Sequence, residues 1–530
     1  MVRAAPRIAR PAAVLTSVAA VLAMLAAGCT VGPSQRTPVA VRGENLAAPA
    51  PPAPVPVAPE TLPEPEQQSA SLPFFECTDE TFAVLRTPPP PDRTLRVECA
   101  ELVVPADPAV PGSGATSLGV VRVGLADAPE SRPPLLAVGD SATEPTTRHA
   151  VTLAGQVTPA LLQSYSLIGL DRRGSGSDGL NCAPVTARAA LLDADPAATG
   201  EAELSALLER ARSVVQDCGV ALDGRLAAFR TSTAAADIEL LRSELGVGRL
   251  SAIGVGDGAA ALAGWARDSP QAVGRIVLDA PPDPGIDDPE LSESRAEAGE
   301  ATFDAFAVAC SAQPDCPLGP DPRRTMSALV EALRTQPLVT ADGRRLTAGG
   351  ALNAVLTGLG EPRGWPALTG ALAAATGGDA GPLLDVLSPV TGPRGRFDGM
   401  LATACNDTRR RPSPAEISTL AAEWRVTYPL FGGTFALRLV ACAPWPTGGP
   451  APASGSVAGT PTILVLGTVA DPRGTLDGSR RAAGNLTSSR FLSWQGAGTG
   501  AYPRTACVSG AVDSLLLDGV APGADILCPP

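Results

Sequence analysis

One histidine, His149, serves the whole 530-residue chain, and all 41 basic residues are arginine. A two-histidine metal site is therefore excluded, as are Schiff-base and general-base lysines. What remains for chemistry is carboxylates and hydroxyls in glycine-rich loops. Gly139-Asp140-Ser141-Ala142-Thr143 follows one apolar run, and Gly254-Val255-Gly256-Asp257-Gly258 separates another from an alanine-rich stretch. Side chains of these loops that could attack a substrate are Asp257, one place past the apex of a sharp strand-to-helix turn, Ser141 and, in a further loop, Ser177. An ester formed at Asp257 would still need a base to activate water, and His149 is expected to be an exposed or helix-start residue. Asp283, Asp287 and Asp288 could suggest calcium, but a solvated turn explains them better. No cofactor and no metal is expected.

Alternating elements must hold these loops. Leu118 to Leu125, Pro134 to Val138, Tyr165 to Leu170, Arg249 to Ile253, Arg275 to Asp279 and Thr462 to Leu466 read as strands. Thr231 to Leu245 reads as a helix with a Ser/Thr start, and Ala259 to Arg267 as another. Such alternation predicts an α/β fold: a mostly parallel, doubly wound sheet with helices on both faces. Between Pro284 and about Gly399 the pattern turns helical with Pro/Gly breaks, which predicts a cap inserted over the carboxyl ends of the strands. The expected organisation is a core over 72–285, a helical cap over 286–399 and a second part of the core over 400–530.

The amino-terminal region carries a different message. Arg3, Arg7 and Arg10 precede an apolar run ending in Gly28-Cys29. A basic segment, a short apolar segment and small residues make a signal peptide over 1–29. Leu25-Ala26-Ala27-Gly28-Cys29 resembles the lipobox of bacterial lipoproteins, which implies lipid on Cys29 and a place on the outer face of the cytoplasmic membrane; secretion without lipid is the alternative. Residues 30–71 hold ten prolines without hydrophobic periodicity and are expected to form an extended, disordered tether. The other ten cysteines suit an exported, disulfide-bonded chain. Sequential pairing is the simplest proposal: Cys77–Cys99, Cys182–Cys218, Cys310–Cys316, Cys405–Cys442 and Cys507–Cys528. A net charge of −13 opposes binding to phosphate backbones, so no nucleic-acid partner is expected.

Several blocks in a fixed order carry a resemblance. They are the turn from Asp171 to Asp178 with Asn181-Cys182, Thr233-x3-Asp237-x4-Arg242-x2-Leu245-Gly246, Val277-Leu278-Asp279 with Asp283-Pro284, Ala404-Cys405-Asn406-Asp407, Cys442-x2-Trp445-Pro446, and Cys507 to Cys528 around Leu515-x2-Asp518-Gly519. From about Phe74 to Cys528 the chain resembles the α/β-hydrolases, specifically the secreted tripeptidyl aminopeptidases related to prolyl iminopeptidases. The resemblance implies a serine nucleophile in G-x-S-x-G, then an acid, then a histidine. The elbow here, with Gly254 and Gly258 flanking it, has Gly256 at the serine position, and Gly496-Ala497-Gly498-Thr499 puts Ala497 at the histidine position. Asp471 keeps the acid position. Gly139, Asp140 and Ser141 replace the oxyanion loop, and an acid there would oppose a developing oxyanion. The resemblance thus implies a hydrolase fold without Ser-His-Asp catalysis, acting on a peptide or cell-envelope ligand by binding it. A hydrolase with a relocated nucleophile is the alternative.

Overall fold

The computed structural model describes residues 61–70, 72–85, 89–129, 131–176, 179–446 and 457–530. The signal segment with Cys29, most of the tether, Ser177 and Asp178 lie outside the described residues.

Ten strands form one sheet. In chain order they are β1 (Phe75–Glu76), β2 (Leu95–Pro105), β3 (Ala115–Leu125), β4 (Pro134–Val138), β5 (Ser166–Leu170), β6 (Leu250–Val255) and β7 (Val273–Asp279); a small hairpin of β8 (Leu338–Val339) and β9 (Arg345–Leu346) stands apart; β10 (Ile463–Ala470), β11 (Ser489–Ala497) and β12 (Ile526–Cys528) complete the sheet. Their spatial order is β1-β2-β3-β5-β4-β6-β7-β10-β11-β12. The first three pairings, β1 with β2, β2 with β3 and β3 with β5, are antiparallel; all those beyond are parallel. Every residue of β4, β5 and β7 is buried, as parallel strands covered on both faces require. Burial in β2 partly alternates, as suits a strand with one wetter face.

The chain runs from β4 outward to β5 and returns to β6 on β4's other side. This reversal makes β4 and β6 the switch point, where ligand clefts open beyond the carboxyl ends of parallel strands. The two glycine-rich loops leave those two ends side by side.

Above them lies a helical layer larger than expected. Helices Asp288–Ser311, Pro322–Thr335, Ala348–Leu359, Trp365–Thr376, Gly381–Thr391 and Phe397–Asp407 are followed by Pro414–Thr427 and Gly432–Ala441, so the helical run continues past residue 399 to Ala441. Leu204 and Leu207, from the helix Glu201–Ala221 that precedes β6, share one apolar cluster with it. The helical layer thus draws on two stretches of the chain, one before β6 and one after β7.

The tether boundary also moves. Leu62 is buried, the Pro63 carbonyl accepts Arg275 Nε–H at 2.8 Å, and the Ala70 N–H reaches Leu245 O at 3.4 Å. An apolar side chain and a guanidinium on the core capture the end of a segment whose composition alone suggests disorder. All five sequential disulfides are present.

Candidate functional site

Strand β6 ends in the turn Val255-Gly256-Asp257, and helix Asp257–Asp268 starts at once. Gly256 has φ +58° and ψ −121°, a strained conformation that only glycine adopts at low cost. The backbone of a nucleophile elbow is therefore kept while its side chain is gone. Gly258 allows the helix to approach β4: a Cβ there would lie 2.5 Å from Val138 O.

Asp140 fills the vacated place. A Cβ on Gly256 would overlap Asp140 Oδ2, and that oxygen accepts the Asp257 N–H at 3.4 Å. In an elbow, the N–H after the nucleophile is an oxyanion donor; here the Asp140 side chain occupies it. Asp140 Oδ1 accepts the Ala142 N–H at 2.8 Å and faces Arg473 Nη2 at 3.3 Å. A carboxylate at a helix amino terminus is also favoured by the helix dipole, by about 0.3–1 kcal/mol.

Asp257 points aside. Its carboxylate pairs with Arg172 Nη1 at 3.0 Å, accepts the Ser141 N–H at 2.9 Å and accepts the Ser141 hydroxyl. Burial pushes its pKa up, Arg172 pulls it down, and Asp140 adds to the rise. Ser141 thus donates to a carboxylate already held by a guanidinium.

Asp471, after β10, is buried. It accepts the Arg473 N–H at 2.8 Å, the Thr499 hydroxyl at 3.2 Å and the Gly500 N–H at 3.3 Å. Burial raises its pKa to about 7, against the pull of these N–H groups and the Arg473 charge. The side chain that meets the acid is therefore Thr499. The assignment of Ala497 is corrected: Ala497 ends β11, pairs with Ala470 and packs against the apolar cluster of the cap. Because β11 extends as far as Ala497, the loop residue that faces the acid is Thr499, two positions later.

His149 lies in helix Thr146–Ala154, near its start but half-buried rather than exposed. Its Nδ1 is 3.4 Å from Glu144 Oε1, and its Nε2 is buried without a hydrogen-bond partner among the described residues. The acidic turn is committed elsewhere: Asp283 to Arg481, Asp287 to capping helix Asp288–Ser311, and Asp288 to the N–H groups of Arg409 and Arg410. Cys182, Cys218 and Asp398 approach one another as metal ligands would, but the two sulfurs form a disulfide.

Asp140, Ser141, His149, Gly256, Asp257 and Thr499 line one cleft of about 1350 Å³ between sheet and cap. Sequence reasoning missed its arginines. Arg295 from helix Asp288–Ser311, Arg396, Arg438 from helix Gly432–Ala441 and Arg473 all face it. Burial and the nearby Arg473 charge lower Arg295 and Arg396 to about 10, and Arg438 to about 9 with Arg295 contributing; all stay cationic at neutral pH. In sequence they are scattered over 179 positions, without a shared motif to flag them.

Residues 428–528 match the TAP-like protein family. Carboxylesterase B of Mycobacterium tuberculosis is 28% identical over 473 residues, covering 83% of this chain and 87% of its own. The serine protease Hip1 of the same organism is 26% identical over 329 residues, 57% of this chain and 62% of its own. The esterase RhEst1 from Rhodococcus sp. ECU1013 overlays with a TM-score of 0.35 at 14% identity, over 79% of this chain and 98% of its own. The doubly wound, mostly parallel sheet with an elbow at its switch point is the α/β-hydrolase fold, and residues 428–528 are similar to the TAP-like group within it.

Proposed function

We propose that this protein is an exported, lipid-anchored member of the group that binds a peptide or cell-envelope ligand in its cleft and does not hydrolyse by the Ser-His-Asp route. The observation that carries the reading is the Asp140 carboxylate, which lies against Gly256 and takes the N–H an oxyanion would need. Glycine at the apex removes the acyl acceptor, and Thr499 in front of Asp471 cannot take up a proton as imidazole does. The negative charge of Asp140 further destabilises any oxyanion formed there. Of the alternative nucleophiles with described positions, Ser141 spends its hydroxyl on Asp257, and Asp257 is itself paired with Arg172. Export and lipid on Cys29 rest on the amino-terminal sequence.

A fluorophosphonate probe, with short peptide and acyl-ester substrates, tests the catalytic part. The disulfide-intact protein is expected to show neither labelling nor turnover. Labelling that vanishes in Ser141→Ala or Asp257→Asn overturns the reading in favour of a relocated nucleophile. Gly256→Ser alone is expected to stay silent, because Asp140 occupies the space. Adding Asp140→Gly and Thr499→His is the combination expected to recover weak labelling. For the anchor, metabolic incorporation of a lipid precursor should be lost in Cys29→Ser, and persistence contradicts lipidation there.

A further inference from the structure

The acids and bases of the cleft do not cancel. Asp140 is matched by Arg473 at 3.3 Å and Asp257 by Arg172 at 3.0 Å. Arg295 then has no ion pair and no hydrogen bond among the described residues, and its Nε is buried. Arg438 spends one N–H on the neutral Asn353 Oδ1 at 2.6 Å and lies 4.5 Å over the Phe435 ring, with no carboxylate partner among the described residues. Among the described residues, Arg396 donates only to the carbonyls of Ala142 and Pro389. Burying a charge without a counter-ion is costly, and folded chains rarely do it without a use. The net charge of the whole chain is −13, so these cations are no by-product of a basic surface.

We propose that Arg295 and Arg438, with Arg473 beside them, form an anion site that holds the carboxylate or phosphate head of a ligand whose apolar stem lies along the cleft wall. Leu356, Met400, Phe435 and Leu439 supply that wall. Guanidinium groups suit both heads, because their paired N–H groups match two oxygens. Arg473 repels both Arg295 and Arg438, and Arg295 repels Arg438, with the more distant Asp140, Asp257 and Asp288 only partly offsetting this at Arg295; an incoming anion relieves the repulsion. The inference rests on the reading of the cleft as a non-hydrolytic binding site.

Octanoate, octyl phosphate and octanol, titrated calorimetrically into the full disulfide-bonded protein at low ionic strength, test it. At least one anion is expected to bind about tenfold or more tighter than octanol, and the tighter anion names the head group. Arg295→Gln with Arg438→Gln is expected to lose about tenfold in anion affinity and leave octanol unchanged. Octanol binding as tightly as both anions, or anion affinity unaltered in the double variant, overturns the anion site. Absence of binding by all three overturns it together with the reading of the cleft as a binding site. Hydrolysis of p-nitrophenyl octanoate by the wild type would overturn only the non-hydrolytic reading, since octanoate against octanol still decides the head group. Should the double variant not fold, that same wild-type comparison decides the site.

Discussion

Two sets of arginines lie inside this molecule, and they are treated in opposite ways. Arg173 makes two parallel bonds to Asp237, at 2.7 and 2.8 Å, and a third to the Ala106 carbonyl at 2.9 Å. Arg188 meets Asp398 at 2.8 Å, and neither side chain has any exposure. These pairs belong to the scaffold and join segments far apart in sequence. Arg295 and Arg438, in the cleft, have no carboxylate partner among the described residues. A paired buried charge holds a fold in register; an unpaired one lowers stability until something arrives to match it.

Breaking the scaffold side of this contrast should have the largest effect. Arg173→Met leaves Asp237 buried and unmatched, and is expected to cost about 3–5 kcal/mol in denaturant unfolding. Arg173→Met with Asp237→Leu should recover most of that loss, since no charge is then stranded. A loss under about 1 kcal/mol in the single variant would remove the distinction between the two sets.

Asp471 extends the contrast to an acid. Its folded pKa, about 7, is above the ordinary carboxylate value, so the native state holds a proton that the unfolded chain has released. Stability from this group is therefore fully present at acid pH and declines as pH rises from about 4 to about 7. Asp471→Asn should lack that decline, so the stability difference should move in its favour by about 2–4 kcal/mol across the window. Parallel pH profiles of the two proteins would contradict a raised pKa.

The smallest effect is expected in the cleft and has the opposite sign to the first. Arg438→Met removes an unmatched cation and should raise unfolding stability by about 1 kcal/mol without ligand. A loss comparable to that of Arg173→Met would show that Arg438 is scaffold after all.

The same division explains what could be read early. Pro134–Val138 is read as a strand with the bounds it has in the structure, because a run of apolar residues broken by turn formers encodes its own burial. The glycine-rich turn at Gly256 is equally plain, since the local backbone needs glycine whatever surrounds it. Ala497 was misplaced for the converse reason: which residue faces Asp471 depends on where β11 ends against β10, a register set by strand pairing. The capture of Leu62 and Pro63 by the core was hidden likewise, because composition reports what a segment can do alone.

The sequence by itself determined that this hydrolase scaffold has no serine at its elbow, one histidine in all, and an alternation of strand and helix that makes a doubly wound sheet. These follow from residue identity and local pattern, which no packing can change. Only the tertiary structure decided that Asp140 lies in the vacated elbow, that Thr499 meets Asp471, and that Arg295, Arg438 and Arg473 converge on one cleft. Those are meetings between distant segments. Charges and hydrogen bonds act through space over a few ångströms, and sequence distance carries almost no information about that separation.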